Sequence, residues 1–530
     1  MRVIKISLTL LISLVTIFAV NAQDPTVGLL YINGEPTEGY TLFTPEANNT
    51  VYLINNCGEV INQWEFNEEP GATCYLLENG TLLRAGKDSL QIRDWDNTIL
   101  WTYATTDNGI RQHHDIEPLP NGNILCVVGN AFTNAEIAEE GRNPAITGDN
   151  FRIDAIVEIQ PVGTNDANIV WEWKGIDHVI QDFDETKPNF GIVEDHPELI
   201  DLNYDNGQET DWTHVNAIDY NADLDQIIIS PRHLNEIYII DHSTTTEEAA
   251  SHSGGNSGQG GDLLWRWGNP EVYRQAGEQK LFLQHDSKWI ESGYLDGGKI
   301  TVFNNLGDGT GTFSSIHIIT PEIVDGVYTK ENNMFKPTDF EWSWNGSILG
   351  NVVYQDKKSG THALPNGNFM IGETGIGRVS EINKQGDVLW TYINPSGTSV
   401  INQFEIPTSN QIFRAEKYPA DYIGFEGKDL TPQGIIEDQN PNSQICINPE
   451  NINTTDRQKI TIINPIRNGN IVFNKEINSD NIIITDLYGK TVFRNKSFKG
   501  NNLKINLQPA VYIMQININN KIETIKIVVP

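Results

Sequence analysis

Leu119-Pro-Asn-Gly-Asn-Ile-Leu125 decides the fold class of this chain, because nearly the same phrase returns as Leu364-Pro-Asn-Gly-Asn-Phe-Met370 and, in part, as Leu77-Glu-Asn-Gly-Thr-Leu-Leu83. Asn-Gly between two apolar segments is a strong hairpin signal, since both central residues of a type I′ turn need positive φ. Short alternating apolar runs bounded by Gly, Asn, Asp and Pro recur elsewhere, without a long segment of 3.6-residue period. The sequence therefore predicts an all-β protein with type I′ hairpins at these phrases.

A second phrase alternates with the hairpins and consists of a turn followed by a strand that ends in tryptophan. A large aromatic on an outer strand can pack against the next blade of a β-propeller, so one hairpin and one tryptophan strand predict one blade. The phrases predict a six-bladed β-propeller, and the unequal intervals between them predict long loops of the kind that build a site. The six phrases are Gly58–Trp64, Asn97–Trp101, Asn168–Trp173, Gly261–Trp267, Phe340–Trp344 and Gly386–Trp390.

The chain divides into four predicted parts. Two basic residues before an apolar run that ends at small residues predict a signal peptide at residues 1–22. No later run reaches the roughly twenty residues of a membrane helix, so the mature chain is expected to be soluble. The propeller is predicted at residues 23–417, followed by a linker at 418–456 that is rich in Asp, Asn, Gln, Gly and Pro. Short strand patterns at 457–530 predict a small C-terminal β-sandwich.

Charge is distributed unevenly along the chain. Residues 23–456 carry 23 Lys and Arg against 66 Asp and Glu, a net charge of −43, whereas residues 457–530 carry 11 against 4, a net charge of +7. Phosphate binding requires clustered Lys and Arg, so the acidic body argues against nucleic acid and anionic membranes as partners. An anionic substrate would need a local positive pocket.

The four cysteines are Cys57, Cys74, Cys126 and Cys446, and no two form a CxxC pair of the kind found in zinc and redox sites. A metal site built from thiolates is therefore not predicted. Export is compatible with a Cys57–Cys74 disulfide, and two buried free thiols are an equal alternative.

Five of the eleven histidines stand beside other polar residues in segments typical of strand ends and blade turns. One histidine in a strand is usually structural, but inner strands of different blades converge on one axis, so the group predicts a common pocket. Neighbouring residues on a strand face opposite ways. His113 and His114 are therefore not expected both to point inward, with His114 preferred, and His233 is expected to be structural. The candidate site residues are His113, His114, His214, Arg232, His285 and His362.

The C-terminal segment carries three recognisable phrases. Asn464-Pro-Ile, Ile484-Thr-Asp-Leu-Tyr-Gly-Lys490 and Leu507-Gln-Pro-Ala-Val-Tyr-Ile-Met514 resemble the sorting domain of type IX secretion substrates, over about seventy residues. The resemblance implies handling by the type IX secretion machinery through the periplasm and outer membrane. It also implies release or attachment at the cell surface, with the tail removed.

Four segments of the body resemble bacterial arylsulfotransferases. They are His113–Leu125, Asp211–Ile240, Leu281–Asp286 and Gly360–Glu373, and the strongest piece is His214 followed eighteen residues later by Arg232. The resemblance spans most of residues 27–415. It implies a six-bladed propeller that moves a sulfuryl group from phenolic sulfates to phenols without a nucleotide sulfate donor.

Carried over residue by residue, the resemblance also implies roles. His285 matches the nucleophile that becomes transiently sulfated, and His214, Arg232 and His114 match residues that surround the sulfuryl oxygens. His113 and His362 complete the candidate set as substrate-binding residues. His362 matches no role in the family, and a structural role is the alternative for it.

The chemistry of these side chains suits the implied reaction. Sulfuryl transfer passes through a loose state with charge on three oxygens, so positive hydrogen-bond donors supply much of the catalysis. Arg232 is always charged and offers a fork of donors, and neutral imidazole is a competent nucleophile near pH 7. Asp286 is a candidate for orienting the neighbouring His285. A centre of this type needs no cofactor and no metal.

Two other functions stay open from the sequence. A non-catalytic surface propeller would bind glycans or proteins, and its histidines would only satisfy strand hydrogen bonds. Gly386–Trp390 also resembles the tryptophan-docking phrase of quinone-dependent dehydrogenases, although no adjacent cysteine pair accompanies it. The oligomeric state is open, with a homodimer as one option.

Overall fold

Strands dominate the computed structural model, which describes residues 24–447, 469–486, 490–518 and 521–529. The all-β prediction is confirmed, while the predicted signal peptide lies outside the described residues. None of the described helices is long and apolar enough to cross a membrane. The α-helices in these ranges are α1 (Asn134–Glu139), α2 (Thr246–Ala249) and α3 (Pro441–Ile447).

The chain forms two compact units, residues 1–444 and 445–530. The first half of the strands in the first unit are β1 (Gly28–Ile32), β2 (Gly39–Pro45), β3 (Thr50–Asn55), β4 (Val60–Glu65), β5 (Pro70–Leu76), β6 (Leu82–Gly86), β7 (Ser89–Arg93), β8 (Ile99–Ala104), β9 (Gln112–Pro118), β10 (Ile124–Phe132), β11 (Phe151–Val162), β12 (Asp166–Lys174), β13 (Val179–Ile180), β14 (Ile200–Asp201), β15 (Val215–Asn221), β16 (Gln226–Pro231), β17 (Ile237–Asp241) and β18 (Trp265–Trp267). They continue with β19 (His285–Trp289), β20 (Ile300–Asn304), β21 (Ser315–Ile319), β22 (Ile323–Val324), β23 (Val327–Tyr328), β24 (Lys330–Glu331), β25 (Met334–Phe335), β26 (Trp342–Trp344), β27 (Ser347–Ile348), β28 (Asn351–Val352), β29 (Gly360–Ala363), β30 (Phe369–Glu373), β31 (Arg378–Ile382), β32 (Val388–Ile393) and β33 (Ile412–Pro419).

Six antiparallel sheets of four or five strands organise the first unit. Their strand orders are β33-β2-β3-β4, β5-β6-β7-β8, β9-β10-β11-β12, β15-β16-β17-β18, β19-β20-β21-β26 and β29-β30-β31-β32-β1. One end strand of each sheet contacts end strands of two others, in the cyclic order β5, β9, β15, β19, β29, β33 and back to β5. The ring closes because β33 pairs with β2, and β32 with β1, so late and early segments share sheets. This arrangement is β-propeller-like.

The repeated tryptophans join each sheet to the next. Six indole N–H groups on the outer strands donate to backbone carbonyls in the following sheet or in a loop of that sheet, at 2.7–3.2 Å. The contact is both apolar and hydrogen-bonded, which is how a buried indole is satisfied. The donor and acceptor pairs are Trp64 and Asp94, Trp101 and Asp166, Trp173 and Gly261, Trp265 and Lys336, Trp342 and Lys384, and Trp390 and Asn56.

The Asn-Gly phrases form hairpins, but the predicted type I′ turn is wrong. In the second hairpin the Gly122 N–H donates to the Leu119 carbonyl at 2.9 Å, which makes Pro120 and Asn121 the central residues. Pro120 fixes φ near −65°, so the turn cannot be type I′. Only Gly122 has positive φ, +85°, which is the arrangement of a type I turn followed by a glycine bulge.

The chain after β33 stays close to the sheets for some distance. The Gln433 N–H donates to the Val60 carbonyl at 2.8 Å, and Asn440 Nδ2 donates to the Val27 carbonyl at 3.0 Å. Phe425 is buried in the same core as Trp64. The segment predicted to be a linker therefore begins as packed chain within the first unit, and residues 448–456 lie outside the described residues.

The two cysteines of the suggested bridge are in different states. Cys74 is a buried free thiol, as is Cys126, whereas Cys57 is disulfide-bonded. A Cys57–Cys74 bridge is therefore wrong. Burial raises the pKa of the Cys74 thiol to about 12.

The described residues of the second unit form two antiparallel sheets, β34-β37 and β36-β35-β38-β39. Apolar side chains from both sheets form one core, which includes Ile471, Leu503, Ile484 and Met514. The strands are β34 (Asn470–Ser479), β35 (Asn481–Asp486), β36 (Thr491–Asn495), β37 (Phe498–Lys504), β38 (Ala510–Ile518) and β39 (Lys521–Val529).

Candidate active site

The backbone departs from regular strand geometry near the starts of β9, β15 and β19, where most of the predicted site histidines lie. Register shifts interrupt the pairing of each of these strands with its neighbour. His114, His214 and Asp286 have φ values of +59°, +50° and +53°, a left-handed conformation that is costly for residues other than glycine. Bulges re-aim side chains, so His113 and His114 do not alternate. The expectation that they face opposite ways is wrong.

Three imidazoles form a contiguous cluster. Nδ1 of His113 lies 2.8 Å from Nδ1 of His114, and the ring centroids of His114 and His214 are 4.6 Å apart. His113 Nε2 donates to Asp154 at 3.1 Å, and His214 Nδ1 donates to Asp211 at 2.6 Å. Because a carboxylate only accepts, neutral His113 keeps its proton on Nε2 and accepts the Nδ1–H of His114. Nε2 of His114 is then an acceptor.

The contacts within and around the three imidazoles fix the charge of His114 and of Asp211. Burial, together with the charges of His113, His214 and His285, holds the pKa of His114 well below its usual range, so His114 is neutral near pH 7. Burial raises the pKa of Asp211, but the hydrogen bond and charge of His214 outweigh it and bring the pKa to about 2. Asp211 is therefore an ionised partner for His214.

His285 is held in one tautomer by an amide. Asn305 Nδ2 donates to the carbonyls of Gln355 and Lys358, each at 3.0 Å, so the amide oxygen must face the other way. That oxygen lies 2.7 Å from Nδ1 of His285 and accepts its proton. Nε2 of His285 carries the lone pair and accepts the Lys358 N–H at 3.1 Å.

The environment of His285 keeps the imidazole neutral. Its side chain is 1% exposed, and burial together with the charge of Arg232 holds its pKa well below the usual range. The suggestion that Asp286 orients His285 is wrong, because Asp286 lies 3.1 Å from Arg414 Nε and accepts the Thr361 N–H at 2.8 Å. Asn305 takes the orienting position.

Arg232 brings positive charge to the same site. Its Nη1 donates to Nε2 of His233 at 2.9 Å, and His233 Nδ1 donates to the Asp211 carbonyl at 2.6 Å, so His233 positions the guanidinium. The expectation that His233 faces away from Arg232 is wrong. Burial lowers the pKa of His233 to about 4 and keeps it neutral. Nε of Arg232 is buried and has no hydrogen-bond partner among the described residues. A buried charged donor without a partner is costly unless a ligand accepts from it.

His362 lies in a different environment. Its Nε2 accepts the Lys417 N–H at 3.3 Å, and its Nδ1 lies 3.6 Å from Glu416. Burial lowers its pKa. The contacts described for His362 are with the end of β33, and none is with His114, His214 or His285.

Sequence reasoning missed four residues that hold the site: Asp154, Asp211, Asn305 and Arg414. Asp211 stands three residues before His214, and a carboxylate at that distance is a signal that could have identified it. Asn305 and Arg414 are far from His285 along the chain, so no local pattern marks them.

The comparisons with known proteins agree with this chemistry. The family model of the arylsulfotransferases (ASST) matches residues 73–346, just over half of the chain. The chain belongs to the arylsulfotransferase family. Membership supports aryl sulfotransferase activity at the level of the family, with small aryl compounds as plausible substrates. The matched range contains His113, His114, His214, Arg232 and His285.

Solved structures give weaker likenesses. A protein of unknown function from Bacteroides caccae is 14% identical, with 72% of this chain and 98% of that chain covered and a TM-score of 0.39. A virginiamycin B lyase from Staphylococcus aureus is 10% identical, with 72% and 88% covered and a TM-score of 0.34. At these scores the likeness carries no argument about function. No curated protein was found to match the chain.

Proposed function

We propose that this arylsulfotransferase-family protein moves a sulfuryl group from a phenolic sulfate ester to a phenolic acceptor through a sulfohistidine at His285, without a nucleotide sulfate donor. The observation that carries the proposal is the buried, unpartnered Nε of Arg232 beside a neutral His285. A sulfate ester supplies the anionic oxygens that this donor lacks.

In the first step the lone pair on His285 Nε2 attacks sulfur, and the bond between sulfur and the ester oxygen breaks. The SO₃ group passes to Nε2, and the leaving group departs as a phenolate with the bonding electron pair. Arg232 donates to the sulfuryl oxygens, as does His214 when Asp211 balances its charge, and both stabilise the dispersed charge. The hydrogen bond from the Lys358 N–H to Nε2 must open first, which frees that N–H for an oxygen.

In the second step an acceptor phenol attacks the same sulfur. His114 is neutral and its Nε2 is an acceptor, so it takes the phenolic proton as the new S–O bond forms and the N–S bond breaks. His285 returns to its starting state with its proton still on Nδ1. His114 then gives the proton to water, and the phenolate released in the first step takes up a proton from water, so the cycle balances without a metal or a cofactor.

The architecture fits a secreted enzyme in this proposal. In this proposal the six sheets are six blades. His114 on β9 and His285 on β19 lie on end strands of their sheets. The second unit is a sandwich that acts as a type IX sorting domain, and the chain reaches the cell surface or the medium after signal-peptide removal.

Incubation with 4-nitrophenyl sulfate and phenol tests the function directly. We expect release of 4-nitrophenol that depends on added phenol and yields phenyl sulfate in equal amount. Release without phenyl sulfate would indicate a sulfatase, and no release from folded protein would overturn the proposal.

Replacing Asn305 with Ala is expected to slow transfer by about 10–100-fold, because His285 loses the nearer acceptor of its Nδ1 proton and keeps the Leu283 carbonyl at 3.1 Å. In the wild type, the fall of kcat/KM on the acid side is expected well below pH 6.5, since burial and Arg232 lower the pKa of His285. The Asn305 hydrogen bond raises that pKa, so in Asn305→Ala the fall of kcat/KM should move to still lower pH. The measurement is kcat/KM against pH.

The exposed Asn351 offers a matched control, since Asn351→Ala should change neither rate nor pH profile. If Asn305→Ala slows transfer while its acid limb stays in place, Asn305 only supports the fold and does not position His285.

A further inference from the structure

A second cluster of metal-ligating side chains lies outside the candidate active site. His178 ends the 3-10 turn Gly175–His178, which follows β12, while His252 and Asp262 belong to the loop between α2 and β18. Nδ1 of His178 and Nδ1 of His252 each lie 2.8 Å from the same oxygen, Oδ1 of Asp262. All three ligand atoms lie within 4.8 Å of one another.

The hydrogen-bond partners of His178 limit what this arrangement can be. Nε2 of His178 lies 2.8 Å from the Ala249 carbonyl, which can only accept, so Nε2 carries the proton. In neutral imidazole Nδ1 then carries a lone pair, yet it faces a carboxylate oxygen, another acceptor. The contact is favourable only if His178 is a buried imidazolium or if a cation lies between the two atoms.

The surroundings favour a cation. A histidine ligand commonly donates its other ring N–H to a backbone carbonyl, as His178 does to Ala249. Its ring stacks on Trp173 with centroids 5.5 Å apart and planes at 2°, so its orientation is fixed. The side chains of His178 and Asp262 are 0% and 8% exposed, whereas that of His252 is 62% exposed, so the cluster opens to solvent on one side.

Gly261 lies where the loop between α2 and β18 passes close to Ala249 and His178. A Cβ at this position would lie 2.0 Å from the Ala249 carbonyl and 2.5 Å from Nε2 of His178. The glycine therefore allows the loop to approach the turn and sets Asp262 beside His178.

The number of ring nitrogens free to bind a metal separates this cluster from a second one at the active site. Asp211, His214 and His233 also have metal-ligand spacing. There, however, His233 uses both nitrogens, donating to the Asp211 carbonyl and accepting from Arg232. No lone pair of that imidazole is left for a metal.

We propose that His178, His252 and Asp262 bind one divalent transition-metal ion of the zinc type, with water in the remaining position. Two imidazole nitrogens and one carboxylate oxygen suit Zn²⁺, and three protein ligands with one open position are a known zinc geometry. The ion would fasten the loop between α2 and β18 to the 3-10 turn. The proposal departs from the prediction of no metal and does not depend on the transfer reaction.

Metal titration of the full chain tests the site. After dialysis against EDTA, we expect calorimetry with Zn²⁺ to give one tight site per chain, and Co²⁺ to give the visible absorption bands of a four-coordinate N/O site. His252→Ala is expected to weaken zinc binding by more than about 100-fold. Because His252 is exposed, this variant should still fold, and its transfer activity should be unchanged.

Two matched variants sharpen the result. His196→Ala removes another exposed histidine paired with a carboxylate and should bind Zn²⁺ like the wild type. His233→Ala should also retain the site. Absence of a stoichiometric site, wild-type affinity in His252→Ala, or loss of the site in His233→Ala would each overturn the proposal.

Discussion

Incubation with an aryl sulfate in the absence of acceptor is expected to add one sulfuryl mass to the peptide that contains His285. His285→Ala should lose this mass and lower acceptor-dependent transfer by about 10⁴-fold or more, as for loss of a covalent nucleophile elsewhere. The physical reason is that Nε2 is the only ring nitrogen of His285 with a lone pair, because Asn305 holds the proton on Nδ1. Mass spectrometry of proteolytic peptides locates the group.

A sulfuryl mass on any other peptide would contradict the assignment of His285, as would a variant that turns over at the wild-type rate. His196→Ala serves as the control, because His196 is exposed and paired with Glu198 rather than with the site residues. It should acquire the mass and retain the wild-type rate. Adding phenol should remove the mass from the wild type, since the second step returns His285 to its free form.

Much of the fold could be predicted because its signals are local. Asn-Gly phrases mark hairpins, and the tryptophans mark outer strands whose indoles reach the next sheet. The predicted turn type was wrong because the central pair of the turn lies one residue before Asn-Gly, and the glycine takes the bulge position. The same turn forms at Leu77–Thr81, where Glu78 stands in place of the proline, so Asn-Gly marks the hairpin without fixing its turn type.

The site could be predicted only in part, for a different reason. His114, His214, Arg232 and His285 carry chemistry that a sequence displays. Their geometry depends on bulges with positive φ at residues such as His114, which no local sequence pattern marks. Residues that act through hydrogen bonds, such as Asn305, have no distinctive spacing and become visible only when distant segments meet.

Arg414 is the clearest example of such a residue. It lies on β33, is bonded to Asp115 on β9, donates to the Asn216 carbonyl on β15 at 2.8 Å and lies 3.1 Å from Asp286 on β19. Asp115 in turn accepts from Tyr75 on β5 at 3.1 Å. Asp286 accepts the backbone N–H of residue 361 on β29. One guanidinium and two carboxylates thus connect all six strands of the ring.

Arg414→Met is expected to destabilise the protein by about 3–5 kcal/mol, because it removes the guanidinium that contacts the buried carboxylates of Asp115 and Asp286. Lys288 Nζ remains 3.8 Å from Asp286. Burial raises the pKa of Asp286, and the charge of Arg414 opposes that effect. Without Arg414, the pKa of Asp286 should rise further. A carboxyl group whose folded pKa lies above its unfolded value loses stability as pH rises. The loss in the free energy of unfolding, relative to the wild type, should therefore be larger at pH 8 than at pH 5 when measured by urea unfolding.

Lys87→Met is the control, because it breaks an exposed ion pair with Glu69, and it should be as stable as the wild type at both pH values. A variant as stable as the wild type at pH 8 would show that the six strands hold together without this ion network.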